Sequence, residues 1–124
     1  MFEQDYIMRQ IHFLAKMVAK FLFGIDSPTL TEELEDRLSE NETGILKTLL
    51  QMIDSGEIGK AEDILFDMLE NNEKGCVETA LLFYTYLENK SDEFLILSGF
   101  SREEVNEGFR DAVKLFGAEE LLTE

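Results

Sequence analysis

Tryptophan is absent from this chain, and histidine, cysteine and proline occur once each. A lone cysteine, Cys76, excludes an internal disulfide framework and fits a reducing compartment. A lone histidine, His12, excludes every metal motif built on two imidazoles, and no Glu-x-x-His pair exists. A lone proline, Pro28, leaves the chain almost without helix breakers. No run of about 18 uncharged apolar residues occurs, so no membrane span is expected. Basic residues are scarce: 11 Lys and Arg stand against 27 Asp and Glu, a net charge of -16. Such an acidic surface repels phosphate backbones, which disfavours nucleic-acid binding. Glycine-rich phosphate cradles, a Gly-x-Ser-x-Gly elbow and nucleotide fingerprints are all missing. Met1-Phe2-Glu3-Gln4-Asp5 is acidic where a secretory signal needs positive charge, so a cytoplasmic protein is expected.

What is present is helical patterning. At 124 residues with 44% hydrophobic content, the chain reads as one domain, 1–124, large enough for a core. Residues 5–23 predict a long amphipathic helix. Ile7, Ile11, Leu14, Val18, Phe21 and Ile25 recur at spacings of four and three, the seam of a helix that meets another helix. Tyr6, Met8, Phe13, Met17 and Leu22 widen it, while Arg9, His12, Lys16 and Lys20 form the wet side. Burying the six seam side chains contributes on the order of 10 kcal/mol, comparable with the net stability of a domain. Residues 1–25 carry three basic and two acidic side chains, and residues 26–124 carry eight basic and 25 acidic. A slightly basic N-terminal helix thus leads an acidic helical body.

Along that body, Ser27-Pro28 reads as a cap followed by a first helical position, and Leu30, Leu34 and Leu38 form a narrow stripe. Asn41 to Gly44 reads as a break. A third helix carries Ile45, Leu46, Leu49, Leu50, Met52 and Ile53 and stops at Ser55-Gly56. A fourth carries Ile58, Ala61, Ile64, Leu65, Met68 and Leu69 and stops at Asn71-Asn72. A fifth spans about Cys76 to Asn89, and a short sixth follows Ser91. The last begins at Ser101 with Glu104 three residues on, a capping box, with Phe100 and Val105 placed as a hydrophobic staple. Gly117 is its stop. The fold class is all-α: a small bundle of about six to seven helices in antiparallel hairpins.

Gly56-Glu57-Ile58-Gly59-Lys60-Ala61, followed by Leu65 and Met68, resembles the turn and second helix of a tetratricopeptide unit over residues 45–72. Glycine permits the tight turn and the small Ala61 lets two helices approach. Ile45 and Leu49 replace the aromatic and small residues of that family's first helix, and Glu73 replaces its closing proline. A shift of about 34 residues brings Leu95 onto Ala61, so one tetratricopeptide-like hairpin is expected, not an array. The segments Asp5 to Ile11, Gly56 to Leu69 and Phe100 to Glu104 together resemble a small uncharacterised bacterial family of all-helical proteins. That resemblance implies the architecture and a bacterial cytoplasmic origin, and carries no catalytic residues.

No residue earns a chemical role on pattern alone. His12 is expected on a solvated face, and Cys76 as a small core or boundary residue despite its place near a helix start. Asp63, Asp67 and Glu70 share one helical face and read as solvated acids rather than a metal site. A calcium loop centred on Gly75 fails, because Leu81 stands where a carboxylate is required. Gly108, inside the last helix, marks either a close backbone approach or a weak point. Phe83, Tyr84 and Tyr86 put aromatics on two sides of one helix, so one set belongs to the core and the other to core or a peptide groove. The expectation is therefore a non-enzymatic protein with no catalytic, metal or cofactor residues. The candidate interface is Ile7, Ile11, Leu14, Val18, Phe21, Tyr6 and Phe13, which would pair two copies as a homodimer or other homo-oligomer, or meet another protein. Peripheral attachment to a membrane surface through the same basic amphipathic helix is the alternative.

Overall fold

The computed structural model describes residues 2–26 and 28–122, with side chains from residue 11 onward. Seven α-helices and no strand occur among them: α1 (Phe2–Phe23), α2 (Leu30–Asp36), α3 (Glu40–Asp54), α4 (Ile58–Glu70), α5 (Cys76–Glu88), α6 (Asp92–Leu97) and α7 (Arg102–Leu115). A 3-10 turn, Glu119–Leu122, closes the described chain and returns to α7 and α1. The expected all-α bundle is what folds.

The axis of the bundle is α5. It packs against α1, α2, α3, α4 and α7. Its sequence explains the position, since apolar residues surround the helix instead of forming a stripe. Thr79, Ala80, Leu81, Leu82, Phe83, Tyr84 and Leu87 are all buried. Phe83 and Tyr84 meet edge to face with ring centroids 5.0 Å apart, and Tyr84 leans on Phe109 of α7 at 5.3 Å. The strongly amphipathic helices wrap this rod. From α3 come Leu46, Leu49 and Ile53; from α4, Ile58, Ala61, Leu65 and Met68; from α7, Val105, Phe109, Ala112 and Val113.

Local punctuation follows residue chemistry. Gly56 adopts φ 81°, which turns α3 into α4 where a side chain would be strained. Ser101 accepts a hydrogen bond from the Glu104 amide at 3.2 Å, so α7 starts where its cap signal lies. Two boundaries differ from expectation. The break between the second and third helices is Ser39, not Asn41 to Gly44. Ser39 Oγ accepts from the Glu42 amide at 3.1 Å, while Glu42 Oε1 accepts from the Ser39 amide at 3.0 Å. This reciprocal box takes Asn41 to Gly44 into α3. Pro28 precedes α2 instead of opening it: α2 begins at Leu30 and its N-cap, Thr29, makes no side-chain capping bond. The expected cap, Ser27, lies outside the described residues.

Candidate functional site

The expected seam of α1 divides between two faces. Ile11 and Val18 are fully buried and Leu14 is 8% exposed, because α1 packs on α5 and α7 of its own chain. This corrects three of the candidate interface residues: they are core of the protomer. The cause is two alanines. Ala15 and Ala19 are also buried, so the covered face is Ile11, Leu14, Ala15, Val18 and Ala19. Small side chains let α1 approach its neighbours closely, and they turn the buried arc away from Phe13 and Phe21. Phe13 is 66% exposed, Phe21 48% and Met17 36%. Spacings of four place these three on one outward face. The side chains of Tyr6 and Ile7 lie outside those described.

Lys16 and Lys20 flank the outward face and are exposed, and Lys20 reaches Asp26 at 3.5 Å. Between α1 and the segment leading into α2 runs a groove of about 360 Å³, lined by His12, Ala15, Lys16, Pro28 to Glu32 and Thr85. At the end of α1, Arg37 stacks 4.3 Å over the Phe23 ring and pairs with Glu78 of α5 at 3.3 Å. These contacts fix α1 at its C-terminal end to the body.

Beneath the groove side of α1 sits a buried polar cluster. Glu88 is 5% exposed. Its Oε1 lies 3.6 Å from Nδ1 of His12, and its Oε2 has no hydrogen-bond partner. Burial pushes this carboxyl up to about 7, against the pull of nearby Arg102. Arg102, also buried, spends its guanidinium elsewhere. Nε donates to Asp92 Oδ1 at 2.8 Å, Nη1 donates to the Glu88 carbonyl at 3.0 Å, and Nη2 donates to the Lys90 carbonyl. One planar fork thus satisfies carbonyls at the end of α5 and ties them to α6. Sequence reasoning missed this residue, since at the first position of α7 its pattern is that of a solvated arginine.

A second, partly buried pair joins α4 to α5. The Tyr84 hydroxyl donates to Glu62 Oε2 at 2.5 Å. Desolvation raises the Glu62 carboxyl, and the Tyr84 phenol rises too, from burial first and then from the adjacent carboxylate. Gly108 of α7 lies over this hydrogen bond. A Cβ there would overlap Glu62 Oε2 and stand 2.8 Å from the Tyr84 hydroxyl. Of the two meanings open for Gly108, close approach is the one the fold uses.

The remaining candidates take ordinary places. Cys76 is buried, and burial with Glu78 and Glu73 nearby raises its thiol, the opposite of activation. Asp63, Asp67 and Glu70 are exposed. Among the described residues no three His, Cys, Asp or Glu side chains gather as metal ligands would. Phe83 and Tyr84 are core. Tyr86 is half-buried, and its hydroxyl donates to the Asp54 carboxylate at 2.7 and 2.9 Å beside the Lys90 ammonium at 2.6 Å. Those hydrogen bonds, from Lys90 first and then Tyr86, hold the Asp54 carboxyl below its usual range. No helix among the described residues is long and apolar enough to cross a membrane.

The chain belongs to the family of unknown function DUF6483, which it matches over residues 1–117. No curated protein and no solved structure matches it.

Proposed function

We propose that this DUF6483 member is a non-enzymatic, cytoplasmic interaction module that self-associates, as a homodimer or other homo-oligomer, through the outward face of α1. The observation that carries this reading is the exposure of Phe13, Met17 and Phe21 on successive turns of one helix. Isolated exposed apolar residues are ordinary, whereas a contiguous aromatic face marks an interaction surface. Charge supports a second copy as the occupant. The face is flanked by Lys16 and Lys20, and residues 26–124 of any other copy carry 25 acidic side chains against eight basic ones. Covering three partly exposed side chains contributes only about 3 kcal/mol per copy, less than micromolar assembly needs. Contacts between the Lys16–Lys20 flank and the acidic body of the second copy must supply the remainder, and the assembly is weak and concentration-dependent. The α3–α4 hairpin, with its Gly56 turn and fully buried Ala61, fits a tetratricopeptide-like unit, a hairpin suited to protein contacts.

Sedimentation velocity across roughly 1 to 300 µM tests the proposal. The wild type should move from the 14.3 kDa protomer toward a multiple of that mass. A Phe13→Ser, Phe21→Ser variant should stay at the protomer mass with unchanged helical circular dichroism. A wild type that remains a protomer throughout refutes self-association. If that protomer co-sediments with anionic vesicles and the double variant does not, the same face serves a membrane surface, the reading that Lys16 and Lys20 also favour.

A further inference from the structure

Glu88 stands apart from the other carboxylates. It is buried, one of its oxygens has no partner, and the chain's single imidazole reaches it from α1. We propose that Glu88 and His12 form a proton-dependent latch that docks α1 onto α5 in acid and loosens α1 as the pH rises toward neutrality.

The groups that face Glu88 among the described residues are few. From α1 comes His12. From α7 comes Arg102, whose guanidinium is committed to Asp92 of α6 and to two carbonyls. The protonated carboxyl leaves no buried charge, and the imidazole covers it from 3.6 Å, beyond hydrogen-bond distance. Loss of that proton leaves a carboxylate in the interior with one oxygen uncompensated, which is costly unless the site opens to water. On the α1 side, opening lifts His12, which already stands at the protein surface with its side chain 59% exposed.

The direction of the effect is fixed by the Glu88 carboxyl, which burial raises to about 7. A folded value above the ordinary carboxyl value means the docked state holds a proton that the opened state releases. Docking is therefore fully supported below the ordinary carboxyl range and is lost as pH rises to about 7, above which it levels off. The latch does not depend on self-association, because its readout is amide protection and not mass.

Hydrogen exchange of the α1 amides, corrected for the intrinsic pH dependence of exchange, tests it. In the wild type the α1 opening constant should rise about tenfold or more between pH 5 and 7. Glu88→Gln keeps the shape and removes the titration, so its profile should be flat. The Glu88 side-chain carboxyl carbon resonance gives a second readout, and in the wild type it should titrate well above the ordinary carboxyl range. A flat wild-type profile overturns the proposal whatever the variant does. So does α1 protection equal to that of α5 at every pH, because α1 would then open only with the whole fold.

Discussion

Replacing Gly108 by alanine gives two readings of that residue opposite signs. In a helix interior that is only a weak point, Gly108→Ala stabilises by about 1 kcal/mol. Here the new Cβ overlaps Glu62 Oε2 and lies 2.8 Å from the Tyr84 hydroxyl. The Glu62 chain is long enough to swing away, but the ring that carries the hydroxyl is fully buried and cannot. Moving Glu62 strips a buried phenol of its acceptor, at about 1–3 kcal/mol, and the residual overlap adds about 1–3 kcal/mol. The net expectation is a loss of about 1–5 kcal/mol, or a Tm drop of about 5 °C or more. Urea unfolding followed by circular dichroism reads it directly. A double-mutant cycle then isolates the cause: in a Tyr84→Phe background the crowding hydroxyl is gone, so the cost of Gly108→Ala should shrink by at least about 1 kcal/mol. A Gly108→Ala protein more stable than wild type would refute the close-approach account.

Other outcomes follow from the same geometry. Arg102→Ala should cost about 3–5 kcal/mol, since it leaves Asp92 and two carbonyls without their donor. Arg102→Lys should recover less than half of that loss, because a point charge cannot serve three acceptors in one plane; chemical denaturation of the three proteins side by side decides this. Between pH 5 and 7 the global stability of the wild type should fall while that of Glu88→Gln changes less. The limit is about 3 kcal/mol, set by a carboxyl raised to about 7. Equal slopes for the two proteins would assign that pH dependence to other groups.

The elements visible from sequence were those with chemistry at both ends. The last helix was marked by Ser101 and Glu104, the third-to-fourth turn by Gly56, and the central helix by the aromatics Phe83, Tyr84 and Tyr86 on two of its sides. The errors have separate causes. A reading that weighs large apolar side chains discounts alanine, so Ala15 and Ala19 were passed over and the buried arc of α1 was rotated toward Phe13 and Phe21. Ser39 was passed over because Gly44 looked like the stronger punctuation, although the box with Glu42 carries the helix through it. Glu62, Glu88 and Arg102 were illegible for a different reason. In a chain with 27 acidic residues, a buried carboxylate differs from a solvated one only by what packs around it. Their partners lie from 10 residues away, as with Arg102 and Asp92, to 76 residues away, as with Glu88 and His12.

The central claim is that α1 uses one face for its own fold and another for a second copy. The most direct measurement is the mass and melting temperature of two variants two positions apart, Ile11→Ala and Phe13→Ser, by light scattering and thermal unfolding. Ile11 is fully buried and Phe13 is 66% exposed. Ile11→Ala should lower stability by about 2–5 kcal/mol and leave the folded assembly's mass unchanged. Phe13→Ser should alter intrinsic stability by less than about 0.5 kcal/mol and shift the mass toward the protomer. The reverse pattern, or a Phe13→Ser protein with unaltered mass, would contradict the account.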